Sequence, residues 1–160
     1  MKPEIVLEKN PEDINWAELL ALIHRAFAFM EGRIDPPSSL HRLDADGLQR
    51  KAQIENLIIA KMDGVVVGCL FAREEGALLY VGKVAVEPSL QKAGIGRRLI
   101  DSAIRLASEL GMFSLELETR VELTENRAYF ESFGFRKVGE SAHEGYDRPT
   151  TIRLRLELDD

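Results

Sequence analysis

Apolar positions along this chain recur with two periods, and the predicted element changes wherever the period does. Over residues 4–8, Ile5, Val6 and Leu7 read as a short first strand. From Trp16 the spacing is helical. Trp16, Leu19, Leu20, Ile23, Phe27 and Met30 form one apolar face, with Asp13 or Asn15 placed to cap it, and His24 falls beside the stripe. Residues 31–39 contain Pro36-Pro37 among polar side chains and read as the clearest loop. A second helix is predicted over 43–53, with Asp44 near its start. Strand patterns return at 56–61 and 65–73, joined by Asp63-Gly64, a hairpin signal. Glu74-Glu75-Gly76 turns the chain into a longer strand, 77–86, which Pro88 ends. Ile95, Leu99, Ala103, Leu106 and Leu110 then mark the core stripe of a long helix that stops at Gly111. Over 113–120 the pattern alternates: Phe113, Leu115, Leu117 and Thr119 face one way, Ser114, Glu116, Glu118 and Arg120 the other. A short helix, 124–133, ends at Gly134. Strands at 135–141 and 150–158 flank a loop containing Tyr146, Asp147 and Arg148. The order β-α-α-β-β-β-α-β-α-β-β predicts an α/β fold, a mixed sheet with helices on both faces.

Composition narrows the chemistry. A chain of 160 residues has the size of one domain, 1–160, and can bury one core. No apolar run approaches the roughly 20 residues of a membrane span, and Met1-Lys2-Pro3-Glu4 lacks the features of a secretory signal. The expectation is therefore no membrane partner and a cytoplasmic protein, which the single cysteine, Cys69, also fits. Cys69 lies in an apolar strand and reads as a packed thiol. A formal charge of −6 argues against nucleic acid and agrees with a cationic or amine partner. His24, His41 and His143 show no ligand spacing, so no metal is expected.

The stretch Gln91, Lys92, Ala93, Gly94, Ile95, Gly96 carries the most specific chemistry. An anion cradle needs converging backbone N–H groups and no side chains crowding them, which Gly94 and Gly96 permit. The helix opening at Ile95 adds its N-terminal partial positive charge. Arg97 and Arg98 stand on its first turn, against the helix dipole, as they would with an anion present. Leu99 replaces the third glycine of a dinucleotide fingerprint, and the Gly-Lys-Ser/Thr of a P-loop is absent.

With these residues in place, the chain resembles the GNAT superfamily of N-acetyltransferases. The resemblance rests on the strand ending Val84-Ala85-Val86-Glu87-Pro88, the Gln91-to-Gly96 loop, and Asn126 followed by a short helix and Gly134-Phe135. It implies a mostly antiparallel sheet of about seven strands with a splayed parallel pair, the strands at 77–86 and 113–120. It also implies acetyl-CoA as cosubstrate. The pantetheine arm would pair with the backbone of Val84, Ala85 and Val86. The pyrophosphate would rest on the N–H groups of Gln91, Lys92, Ala93, Gly94, Ile95, Gly96 and Arg97, with Asn126 and Phe130 at the cofactor. Asn126 reads alternatively as a cap or turn residue.

The family implies direct attack of a neutral amine on the thioester in a ternary complex. Its tyrosine four residues before the Gly-Phe glycine, a general acid for the thiolate, is replaced here by Phe130. Tyr129 is adjacent but rotated by about 100°, so either Tyr129, water, or unassisted departure fills that role. Glu118 is the candidate base, or a member of a polar sheet face. Glu31, Arg33, Asp35 and Tyr146 are candidate substrate contacts, or parts of a packed surface loop. The acceptor reads as a small-molecule primary amine; a protein N-terminus or lysine, and a non-catalytic acyl-CoA sensor, stand as alternatives. The final strand, with Ile152, Leu154, Leu156 and Leu158 alternating with charged residues, suits homodimer pairing or an ordinary half-buried strand.

Overall fold

A computed structural model describes residues 4–158. Met1, Lys2 and Pro3, most of the segment inspected for a signal, lie outside the described residues. The elements are β1 Ile5–Lys9, α1 Trp16–Phe27, α2 Ala45–Ile54, β2 Asn56–Met62, β3 Val65–Glu75, β4 Leu78–Val86, α3 Ile95–Glu109, β5 Ser114–Arg120, α4 Thr124–Glu131, β6 Arg136–Ser141 and β7 Thr151–Glu157. Short 3-10 turns follow α1 (Ala28–Met30), precede α2 (Ser39–Arg42) and precede α3 (Pro88–Ala93).

Local chemistry explains the boundaries. Asn15, not Asp13, caps α1, its side chain accepting from the Glu18 N–H at 3.1 Å. Asp44 caps α2 by accepting from the Gly47 N–H at 2.7 Å. Asp63 and Gly64 both have positive φ, 52° and 80°, the backbone that a two-residue hairpin needs between β2 and β3. Gly111, at φ 72°, closes α3: its N–H reaches the Ser108 carbonyl while the Met112 N–H reaches that of Ala107. That reversal turns Leu110 off the core, so it is 39% exposed instead of ending the stripe as expected. Phe113, expected to face inward with Leu115, lies before β5 begins and is 66% exposed.

The seven strands run in the order β1-β2-β3-β4-β5-β7-β6, all antiparallel neighbours except β4 and β5. α3 covers one face, where Ile95, Leu99, Ala103 and Ala107 pack with Ile58, Leu70, Leu79 and Leu115. α1 and α2 cover the other, where Leu19, Leu22, Ile23 and Leu48 pack with Leu57, Ile59 and Phe71. Cys69 is fully buried on this second face, and burial pushes its thiol up to about 12, as befits a packed side chain. The final strand, β7, has both edges occupied by β5 and β6. The free edge at this end belongs to β6, with Val138 46% exposed.

Candidate active site

The parallel ladder between β4 and β5 holds only three pairs, Leu78 with Ser114, Leu79 with Leu115 and Tyr80 with Glu116. Beyond them β4 stays with β3, but Phe71 pairs with Gly82 and Cys69 with Ala85, so β4 carries one extra residue. Lys83 sits in that bulge at φ 51°, a left-handed conformation rare for a residue with a side chain. The bulge and the missing pairs part the two strands. A cavity of about 450 Å³ opens between them, bounded also by α4 and the end of α1.

Of the residues singled out from sequence, Val84, Val86, Gln91, Gly96, Glu118, Asn126, Tyr129 and Phe130 line this cavity. The structure thus brings together side chains from β4, the loop after it, β5 and α4. Ala85 faces away, buried against the α1 side, and Ile95 anchors α3 in the core. Lys92, Ala93 and Gly94 are exposed on the turn leading into α3. Gly94 adopts φ 81° with no side chain capping the helix after it and no acidic residue in the first turn. The first N–H groups of α3 therefore present their partial positive charge outward. Arg97 lies over the Phe133 ring at 5.2 Å. Arg98 instead donates to the Ile5 carbonyl at 2.8 Å and so ties α3 to β1.

Two aromatic side chains of α4, Tyr129 and Phe130, shape one wall of the cavity. A methyl group placed on Gly96 would run into the Tyr129 hydroxyl, so that hydroxyl occupies the space left by the missing side chain at the start of α3. Tyr129 therefore points to the cradle end of the cavity. Burial pushes its phenol up, and Arg97 nearby draws it back in part. Phe130 is 8% exposed, packed edge-to-face on Tyr129 and Phe135 with centroids 5.3 and 6.0 Å away.

On the α1 side the wall is made by Phe27, Phe29, Met30 and Ser38, with Lys83 and Glu118 from the sheet. Burial lowers the Lys83 ammonium, helped by Lys51. Glu118 lies 3.6 Å from the Arg153 guanidinium, while Glu116, 4% exposed, accepts from Arg155 Nε at 2.7 Å. None of Glu31, Arg33, Asp35 and Tyr146 lines this cavity. They pair instead. Asp35 accepts from the Tyr146 hydroxyl at 2.5 Å and from Arg148 at 3.3 Å, Arg33 meets Glu125 at 2.6 Å, and Glu31 stands 3.8 Å from His41. Arg120 holds the Pro36 carbonyl at 2.6 Å and Glu122 the Asp35 N–H at 3.0 Å, which sets Ser38 in the wall. Arg25, near the end of α1, grips Glu87 with Nη2 2.7 Å from Oε2, directly before the cradle turn.

Phe29, Lys83, Thr119 and Arg120 reach the cavity without having been singled out as ligands from sequence, while Ser38 comes from the loop expected on the substrate side. For Thr119 the signal was present, since it shares a strand face with Leu117. For Lys83 it was hidden, because nothing in the sequence announces the bulge.

The chain matches the Acetyltransferase (GNAT) family over residues 16–135. An IAA acetyltransferase of Azospirillum brasilense is 33% identical over 110 residues, 68% of this chain and 71% of that protein. The structure of an IAA acetyltransferase from Bacillus cereus ATCC 14579 superposes with a TM-score of 0.69 at 25% identity, over 97% of this chain and all of the other. A GNAT family acetyltransferase from Elizabethkingia anophelis, solved with acetyl-CoA bound, gives a TM-score of 0.68 at 19% identity, covering 96% and 98% of the two chains.

Proposed function

The chain belongs to the GNAT acetyltransferase family, an acetyl-CoA-dependent enzyme, and from that premise we propose that it acetylates the primary amine of a small molecule. The observation that carries this reading is the parted β4–β5 pair opening a walled cavity beside an uncapped, glycine-bearing helix start. The residues fit the donor: the N–H groups following Gly94 would hold its pyrophosphate, the backbone of Val84 and Val86 its pantetheine arm, and Asn126 the same arm from α4. Gln91, Lys92, Ala93, Ile95 and Arg97 contribute through the backbone of the same turn. When bound, acetyl-CoA supplies an acyl group already activated as a thioester.

The chain's own residues then supply position, polarisation and proton handling. The parted strands fix the amine and the acyl carbon in one enclosed space. A backbone N–H of the bulged β4 segment polarises the acyl carbonyl. Glu118, in the wall and only loosely paired, takes the amine's proton directly or through water. Tyr129 joins the donor-binding group at the cradle instead of serving as acid at the thiol end. Glu31, Arg33, Asp35 and Tyr146 act one step removed, by strapping the loop that sets Ser38 in the acceptor wall.

A small acceptor is favoured over a protein chain by the wall of Phe27, Phe29, Met30 and Ser38, and by loops cross-linked through Asp35. The relative at 33% identity, named for IAA, points the same way. The same reading treats the chain as one cytoplasmic domain that pairs, where it dimerises, through the β6 edge. No helix among the described residues is long and apolar enough to cross a membrane. Coenzyme A release, followed with a panel of small amines alongside peptides with free N-termini and lysines, tests the proposal. Turnover confined to peptides would overturn the acceptor class, and donor binding without turnover on any acceptor would favour a sensor.

A further inference from the structure

Three charged side chains line the cavity: Lys83 on β4, and Glu118 and Arg120 on β5. Glu118 has Arg153 beside it, whereas no carboxylate of the described residues comes within 4.0 Å of Lys83 or Arg120. The Lys83 ammonium makes no hydrogen bond to the described residues, yet it is not sealed from solvent. The Arg120 guanidinium donates to the Pro36 carbonyl at 2.6 Å and to that of Pro37 at 3.3 Å, which leaves three of its five N–H groups unspent. Carboxylates whose charge acts on the two cations are engaged elsewhere. Glu55 is held by Lys51 at 2.6 Å, Glu122 by the Asp35 N–H at 3.0 Å, and Asp35 by Tyr146 and Arg148. Burial accordingly lowers both the Lys83 ammonium and the Arg120 guanidinium. Half-buried cations without a counter-ion cost stability, and an anionic ligand would offset that cost.

Their place says which ligand. Lys83 lies three residues beyond Tyr80, and Arg120 four beyond Glu116, the last β4–β5 pair, so they stand on the two sides of the parting. Arg120 shares a strand face with Glu118 and holds the loop that supplies Ser38. Lys83 is near enough to Lys51 of α2 for that lysine to disfavour its charge. Both cations therefore belong to the side of the sheet that α1 and α2 cover, where Phe27, Phe29 and Met30 wall the cavity, and not to the glycine turn before α3.

We propose that the acceptor is an amine that also carries a carboxylate, an amino acid in chemical class, and that Lys83 and Arg120 bind this carboxylate from the two sides of the parted strands. Charge-assisted hydrogen bonds from an ammonium and a guanidinium suit a carboxylate and are wasted on a plain alkylamine. Glu118, on the same strand face as Arg120, is then left for the amino end of the acceptor. The inference rests on the acetyltransferase reading above and narrows its acceptor class.

The test uses the full chain and follows coenzyme A release with the twenty L-amino acids, each beside its carboxamide and its decarboxylated amine. For the best amino acid, kcat/KM should exceed that of its carboxamide by about 10–100-fold, the range of one or two charge-assisted hydrogen bonds. Lys83→Met should shrink this preference about tenfold, chiefly through KM, while calorimetry finds acetyl-CoA affinity within about twofold of the wild type. Lys83→Arg, which keeps a cation, should retain most of the preference. Arg120→Gln should shrink it as well, but it also loosens the Pro36-Pro37 loop, so K83M decides. Carboxamides or decarboxylated amines turned over as well as the amino acids overturn the proposal, and the carboxamide result would favour a peptide N-terminus. A preference that K83M leaves unmoved overturns it too. Acetyl-CoA binding without turnover on any acceptor, or no acetyl-CoA binding, refutes the acetyltransferase reading itself, an outcome distinct from turnover of amines that lack a carboxylate.

Discussion

Replacing Gly96 with Ala places a methyl group where the Tyr129 hydroxyl now sits, far inside van der Waals contact. The next neighbours are ordinary: Tyr129 Cζ at 3.5 Å and Val86 Cγ2 at 3.7 Å. The clash is therefore with one oxygen, and Tyr129 must swing away to relieve it. In doing so it weakens edge-to-face contacts with Phe130 and Phe133, whose centroids lie 5.3 and 5.1 Å away. Each such contact contributes about 0.5–1.5 kcal/mol. Against this, alanine is the better helix former by about 0.5–1 kcal/mol. Tyr129 is 43% exposed and can partly rehydrate, so the net cost of G96A is about 1 kcal/mol. In a Tyr129→Phe background the clashing oxygen is gone and only the helix gain remains. The two substitutions should couple by about 2 kcal/mol. For a chain of this size that is a difference of about 4–8 °C between the Tm shifts caused by G96A in the two backgrounds. Thermal unfolding of the four proteins, checked by urea titration, measures it. Equal Tm shifts in both backgrounds would refute the placement of the Tyr129 hydroxyl on Gly96, and with it the assignment of Tyr129 to the cradle.

Gly94→Asp adds a side chain at φ 81° with nothing within 4 Å, so the backbone alone resists it, by about 1–2 kcal/mol. The fold should persist while calorimetry shows no acetyl-CoA binding, because a carboxylate then faces the phosphates. Asp35→Asn should bring the Tyr146 phenol down from its raised value, since the Asp35 hydrogen bond is the main cause of that rise. The bond's contribution to folding is present at neutral pH and is lost as pH climbs through the phenol's folded-state value, above the ordinary value of about 10, so tyrosinate absorbance and Tm against pH should move together. Lys83→Met should melt above the wild type near neutral pH, because burial disfavours the Lys83 ammonium in the folded state. Its advantage should shrink as pH rises through the lowered folded value toward about 10.4; a gap independent of pH would point to packing instead.

Most of the fold was legible because its signals are local. Asp63-Gly64 specifies a tight hairpin whatever surrounds it, and Gly111 stops α3 through its own backbone. Element order followed from periodicity, and the glycine-bearing turn into α3 from a six-residue stretch. Properties set by distant parts of the chain were not legible. Whether β7 lies inside the sheet or at its edge depends on β6 folding back over it, and alternation in 150–158 reads alike in both cases. Asp35 and Tyr146 are 111 residues apart, so their bond could not be told from two ligand contacts. Tyr129 was ambiguous by one helical step, a rotation that only the packing of α4 on α3 resolves.

The grip of Arg25 on Glu87 joins the helix at the proposed acceptor wall to the residue ahead of the proposed phosphate turn. Two sites sharing such a clasp form a linked thermodynamic system. If filling the turn alters how α1 seats, donor binding changes acceptor affinity by some factor, and acceptor binding must change donor affinity by the same factor. Order of addition then becomes a matter of degree set by one exposed ion pair. Salt, which screens such pairs over about 8–10 Å, becomes a handle on the cooperativity of the two substrates.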